Sequence, residues 1–184
     1  AGQDRLPRRR DPQARGLHLN QENNMTVNDT EFESRKVAII CSKGGLDEAY
    51  PALILANAAR QSGIEAFIFF TFYGLDVVTE KKVDKLHVNM AGNPTSPMPT
   101  VVAGLPGMER FAAKMMKSKM EELDLPDARE MIEILDEAGA EMYGCQLAME
   151  MFGREQSELL PQVKDVITAG DFYDMAEGAQ IIFT

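Results

Sequence analysis

From Lys36 onward, short unbroken apolar runs alternate with segments whose apolar residues recur every three or four positions, the pattern of strands alternating with helices. Residues 37–41 are apolar throughout, as a strand buried on both faces would be. Gly44 and Gly45 end that run. Asp47 and Glu48 then supply the acidic first turn of a helix reaching about Ser62, with Gly63 as its stop. Pro51 fits that helix only within its first turn. Residues 64–72 form a second β-rich run. Strand, helix and strand joined by short links predict a right-handed parallel crossover.

Residues 73–88 predict a short helix with a mixed tail. Residues 90–107 hold Gly92, Pro94, Pro97, Pro99, Gly104 and Pro106, which predicts a long irregular loop acting as a lid, an interface arm or a mobile segment. Phe111, Ala112, Met115, Met116, Lys119 and Met120 recur at helical spacing over residues 108–123. Pro126 and Asp127 open another helix, with Ala128, Met131, Ile132 and Leu135 on one face and Gly139 at its end. A strand over 140–143, a helix over 146–152, a strand near Val166, a small helix over 171–177 and a strand over 180–183 follow. The prediction is an α/β chain: one three-layer α/β/α domain over residues 36–184, around a mainly parallel sheet of about five strands. Residues 1–24 carry five Arg and little that could pack, and Met25 reads as a start. Residues 1–35 are therefore expected to be a disordered extension or expression scar followed by a native tail.

The formal net charge is −10, and without residues 1–24 it becomes −12, from 14 Lys and Arg against 26 Asp and Glu. That balance argues against nucleic acid or an anionic membrane surface as partner. The longest apolar run, residues 64–75, includes Glu65 and is too short to cross a bilayer. Two cysteines make no disulfide scaffold and no secretory signal is present, so a cytoplasmic location is expected, with room for one regulatory or catalytic disulfide. His18 and His87 stand apart, so no metal site is expected. The chain has no Gly-x-Ser-x-Gly elbow, and the Gly44-Gly45 loop lacks the Gly-Lys-Ser/Thr ending of a phosphate loop. No cofactor is implied. The twelve Met, among them Met142, Met149 and Met151, read as core filler.

The chemistry then rests on sulfur. Cys145 falls where a predicted strand ends and a predicted helix begins, and unpaired N–H groups and the helix dipole there favour a thiolate. Cys41 ends the first predicted strand. In an open parallel sheet ligands bind at the carboxyl ends of the strands, so both cysteines share one edge. Whether they are neighbours depends on strand order. Lys43, Gly44 and Gly45, with a helix start behind them, would suit a small oxyanion or lower a thiol pKa. Gln146 adjoins the second cysteine as a further candidate for the substrate. Each cysteine also reads as inert packing. Arg154 is expected to cap a carbonyl rather than bind an anionic donor.

Three segments carry a resemblance: the run from Ile39 to Asn57 beginning Ile-Ile-Cys-Ser-Lys-Gly-Gly, the run Phe-Phe-Thr-Phe-Tyr-Gly-Leu from Phe69 to Leu75, and the run Tyr-Gly-Cys-Gln-Leu-Ala-Met-Glu-Met-Phe-Gly from Tyr143 to Gly153. Together, over residues 36–184, the chain resembles the DsrE/DsrF-like sulfur-relay family, most of all its single-chain subgroup labelled peroxiredoxin-like or DsrE-related. The resemblance implies a parallel α/β fold, homo- or hetero-oligomers, and a cysteine that accepts sulfur as a persulfide or thiosulfonate group. By matching position that cysteine is Cys145, and Cys41 matches a second cysteine found in part of the family. Expected partners are rhodanese-like or TusA-like proteins and small sulfur oxyanions, with Lys43, Gly44, Gly45 and Gln146 around the anionic group. Two alternatives stand beside this: a thiol peroxidase, for which no peroxide-activating Thr and Arg accompany Cys145, and a non-catalytic subunit of a relay assembly.

Overall fold

The structure, a computed structural model, describes residues 35–88 and 108–184. The predicted N-terminal tail and the loop predicted over residues 90–107 lie outside the described residues. Five strands form one all-parallel sheet: β1 (Lys36–Cys41), β2 (Glu65–Phe70), β3 (Glu141–Cys145), β4 (Asp165–Ile167) and β5 (Gln180–Phe183), in the order β4-β3-β2-β1-β5. The helices are α1 (Leu46–Gln61), α2 (Met108–Glu122), α3 (Ala128–Glu137), α4 (Gln146–Phe152) and α5 (Ala169–Met175). Where the sequence predicts a short helix after β2, the chain winds as two 3₁₀ helices, Phe72–Val78 and Val83–Lys85.

The strand order decides which face each helix covers. The steps β1 to β2 and β2 to β3 run in one direction across the sheet, so right-handed crossovers place α1 and α3 on the same face. Tyr50 of α1 donates its hydroxyl to the Pro126 carbonyl, and Arg60 donates to the Ala138 carbonyl, tying these two helices together. The return from β4 to β5 runs the opposite way and puts α5 on the other face, where Phe172 packs its ring on Phe67 and Phe69 at 5.6 and 5.1 Å. The covering is uneven. Among the described residues α5 is the helix on that face; Phe67, Phe69, Tyr143 and Cys145 of the inner strands are buried there, while Ile181 and Phe183 of the edge strand β5 stay 45% and 69% exposed.

Local departures from expectation have local causes. Pro51 sits in the second turn of α1 rather than the first, where it removes one helix hydrogen bond on the exposed side. Gly63, at φ +71, ends α1. Asp127 N-caps α3 by accepting from the Glu130 N–H at 2.9 Å. In α2 the predicted face rolls outward: Ala112, Ala113 and Met120 are buried, but Phe111 and Met115 are exposed. Lys117 reaches from α2 to the Asp84 carbonyl at 2.9 Å and holds that roll. Met142 and Met149 are core residues as expected, whereas Met151 lies out on α4.

Candidate functional site

Both cysteines lie at the carboxyl edge of the sheet, and the strand order keeps them apart. Cys41 pairs in register with Phe70, and Phe70 with Gly144, so β2 stands between the two sulfurs. Two strand spacings put Cys41 and Cys145 about 10 Å apart, beyond the 4.4–6.8 Å between Cα atoms that a disulfide spans. The register adds a second separation. Side chains alternate along a strand, and Cys145 is one residue beyond the partner of Phe70. Cys41 therefore points to the face covered by α1 and α3, and Cys145 to the face covered by α5. The shared site that two cysteines on one edge suggested does not form within one chain, and neither does a disulfide between them.

Cys145 is the last residue of β3 and the N-cap of α4, with extended backbone at φ −80 and ψ 119. It is a free thiol, 7% exposed, in register with Ile167. The next residue of that strand end, Thr168, N-caps α5 in a capping box with Asp171, so α5 starts beside the sulfur. Gly144 just before it faces Leu75, Leu159 and Val166; a Cβ there would stand 3.3–3.6 Å from them, which is why β3 can close against the 3₁₀ segment. Gln146 turns along α4 and donates to Glu150 at 2.8 Å.

Cys41 has different surroundings. It is fully buried, and its Sγ donates to the Lys43 carbonyl at 3.6 Å. Burial pushes its thiol up to about 11, and the hydrogen bonds to Lys43 and Thr184 offset only part of that shift. The expected pKa lowering by the Lys43 loop is not what this pocket does. Lys43 extends into solvent and pairs with Glu48 at 3.4 Å. The start of α1 is occupied by the chain's own groups: the Leu46 N–H donates to the His87 carbonyl at 2.9 Å, and Asp47 and Glu48 oxygens lie 3.1 and 2.8 Å from where a Gly45 Cβ would be. A cleft of about 660 Å³ does open beside Lys43, Gly44 and Gly45, with Tyr73, Lys85 and His87 on its walls, but Cys145 is not among the residues lining it.

The 3₁₀ segment after β2 separates these two environments. Phe72 opens it at φ +45, a left-handed conformation that a bulky residue adopts only under constraint. The constraint is Gly74, whose N–H donates to the Ser42 and Thr71 carbonyls. A Cβ at Gly74 would fall 2.1 Å from the Cys41 carbonyl oxygen, so the glycine of the Phe-Phe-Thr-Phe-Tyr-Gly-Leu run is a packing requirement. Arg154 departs from expectation. It pairs with the Asp76 carboxylate, donates to the Thr79 hydroxyl at 3.0 Å and stacks over Phe152, locking the end of α4 to this segment. Sequence reasoning had no signal for that tie, because Asp76 and Arg154 are 78 residues apart. Among the described residues no three His, Cys, Asp or Glu side chains cluster to hold a metal ion, and no helix is long and apolar enough to cross a membrane.

Comparison with known proteins bears on the family and the fold. The chain is 37% identical over 158 residues to the sulfur carrier protein DsrE2 of Allochromatium vinosum, covering 82% of this chain and 98% of that one. It is 24% identical over 159 residues to the uncharacterized protein YrkE of Bacillus subtilis, again covering 82% and 98%. The ychN protein of E. coli shares the fold, with a TM-score of 0.50 at 14% identity over 82% of this chain and 99% of that one. The sequence profile of the DsrE/DsrF/DrsH-like family matches residues 33–183, and the chain belongs to that family.

Proposed function

We propose that this protein is a sulfur carrier that takes sulfane sulfur onto Cys145 and hands it to a thiol of a partner protein. One observation carries the reading: Cys145 is a free thiol at a strand end that turns into a helix, with no disulfide partner in reach. The 37% identical relative that is named a sulfur carrier supports it.

In the first step the Cys145 thiolate attacks the outer sulfur of a donor persulfide, R–S–SH. A Cys145–S–SH bond forms, the donor S–S bond breaks, and the donor leaves as R–S⁻. In the second step an acceptor thiolate attacks the outer sulfur of the Cys145 persulfide, which restores the Cys145 thiolate and leaves the acceptor as a persulfide. No net oxidation occurs. A donor R–S–S–SO₃⁻ would place –S–SO₃⁻ on the same atom as the bond from R–S to that sulfur breaks, and would leave as R–S⁻. Cys41, sealed on the other face, is assigned to the wall of the core, and Lys43, Gly44 and Gly45 to the separate cleft rather than to the sulfur group.

Intact-protein mass spectrometry after incubation with a small-molecule persulfide, R–S–SH, tests the reading. A gain of one sulfur that disappears in Cys145→Ser and persists in Cys41→Ala supports it. An adduct that follows Cys41 instead, or peroxide consumption with no sulfur adduct on either cysteine, overturns it.

A further inference from the structure

Sulfur transfer at Cys145 leaves the cleft beside Lys43 without a role, since Cys145 is not on its walls. Those walls come from three places in the chain: the loop after β1 with Gly44 and Gly45, the 3₁₀ segment with Tyr73 and Asp76, and the stretch from Lys82 to Val88. Backbone contacts fix them against one another. The Leu46 N–H donates to the His87 carbonyl at 2.9 Å, and the Gly74 N–H donates to the Ser42 carbonyl at 3.2 Å. Gly44 packs so closely on the Tyr73 carbonyl that a Cβ would stand 2.4 Å from its oxygen. The volume of about 660 Å³ lies within the range of preformed small-molecule sites, about 300–1,000 Å³.

The charge of this cleft is opposite to that of the chain. Lys43, Lys82 and Lys85 line it with two carboxylates, Glu48 and Asp76. Asp76 is shared between Lys82 at 3.0 Å and Arg154. Counting Arg154, four cations meet two carboxylates, or three if Asp47 beside Gly45 is added. The chain as a whole carries a formal net charge of −10. Among the described residues, the exposed Lys85 ammonium and His87 ring make no hydrogen bond or ion pair. Lys85 feels the Asp84 carboxylate beside it in sequence, but Arg129 holds both oxygens of that group.

The cleft also has an apolar side. Tyr73 is 65% exposed with its ring against Phe152 at 5.5 Å, and Leu86 and Val88 complete that wall. A bare oxyanion would use the lysines and leave these surfaces in water. A phosphate monoester carries both parts, and its second pKa of about 6 makes it a dianion at neutral pH.

We infer that this cleft binds a small organic phosphate with an aromatic or apolar body. Its head is held among Lys43, Lys82 and Lys85, whose ammonium groups meet phosphate as point charges. Its body lies on Tyr73 and Leu86. The site is separate from Cys145 and stands independently of the sulfur-carrier reading.

Calorimetric titration of the full chain with 1-naphthyl phosphate, 1-naphthol and inorganic phosphate tests it. The ester is expected to bind once per chain, and the naphthol and the phosphate each at least about tenfold more weakly, since head and body both contribute. Lys43→Gln/Lys85→Gln should weaken the ester at least about tenfold, and so should about 0.5 M salt. Tyr73→Ser should weaken the ester and spare inorganic phosphate. Urea unfolding checks that these exposed substitutions leave the fold intact. Lys164 pairs with Glu141 at the amino end of the sheet, so Lys164→Gln should keep the affinity within about twofold, as should Cys145→Ser. No saturation by the ester below about 5 mM would overturn the inference. So would naphthol or inorganic phosphate binding as tightly as the ester, or an affinity untouched by Lys43→Gln/Lys85→Gln or by Tyr73→Ser. Loss of binding in Cys145→Ser would return the anion to the sulfur site, and loss in Lys164→Gln would make the effect one of overall charge; either result overturns the cleft.

Discussion

Raising the pH from 8 to 11 should reveal Cys41 through stability. An unfolded thiol titrates near 9.0, while burial holds the folded Cys41 thiol protonated up to about 11. The sign follows directly. Below pH 9 both states are protonated and the contribution is fully present; as the pH rises the unfolded chain sheds its proton first, and the contribution is lost through the folded value. At 1.36 kcal/mol per pH unit the whole gap between 9.0 and about 11 is worth about 2.7 kcal/mol, of which about 2 kcal/mol is gone by pH 11. Tyr143, pushed up to about 12, and Tyr50, raised further, change stability with the same sign at higher pH, so the wild-type curve alone is not diagnostic. The measurement is urea unfolding of wild type and Cys41→Ala at pH 8, 9, 10 and 11. Cys41→Ala starts lower because it opens a small cavity, and the gap between the two proteins should narrow by about 2 kcal/mol across the series. A gap that stays constant to within about 0.5 kcal/mol would refute a buried, proton-holding thiol. The same reasoning predicts that iodoacetamide at pH 8 leaves Cys41 unmodified in the folded protein, where only about one thiol in a thousand is ionised.

Gly74→Ala should lower stability by about 3 kcal/mol, because its Cβ meets the Cys41 carbonyl oxygen at 2.1 Å and backbone must move on both sides. In thermal melts that is a fall of about 6–12 °C, whereas Gly63→Ala, with open space but φ +71, should lose only about 1–2 kcal/mol; equal losses would discredit the close-approach argument. Arg154→Met should lose about 2 kcal/mol, since Asp76 keeps Lys82 but Thr79 and the end of α4 lose their tie. Amide exchange should speed up in residues 72–78 in that variant, and unchanged exchange there would place the tie elsewhere. Asp127→Ala removes the N-cap of α3 and should cost about 1 kcal/mol in urea unfolding.

Hydrophobic spacing made the elements legible because each is a local pattern: an unbroken run for a strand buried on both faces, a three-four repeat for a helix with one face in the core. The run from Tyr143 to Gly153 even shows the strand-to-helix change at Cys145, where β3 gives way to α4. What the chain does not write locally is strand order. Nothing near Gln180–Phe183 says that β5 pairs with β1 instead of extending the sheet beyond β4, yet that choice sends α5 to the opposite face and leaves Phe183 in the open. Side-chain facing across strands is equally nonlocal. It depends on register, and a shift of one residue turns a side chain through the sheet. Cys41 and Cys145 differ by that one residue, counted through Phe70.

Sharing a sheet edge is therefore a weaker condition than sharing a site. Two residues at carboxyl ends meet only if their strands are adjacent and their side chains point the same way, and this pair meets neither requirement. The Lys43 loop cannot be credited to Cys145 chemistry on the strength of edge position, nor can Cys41 serve as its resolving thiol within the chain. What remains beside Cys145 is its own surroundings: the short helix it caps, Ile167 in register with it, and the start of α5 at Thr168.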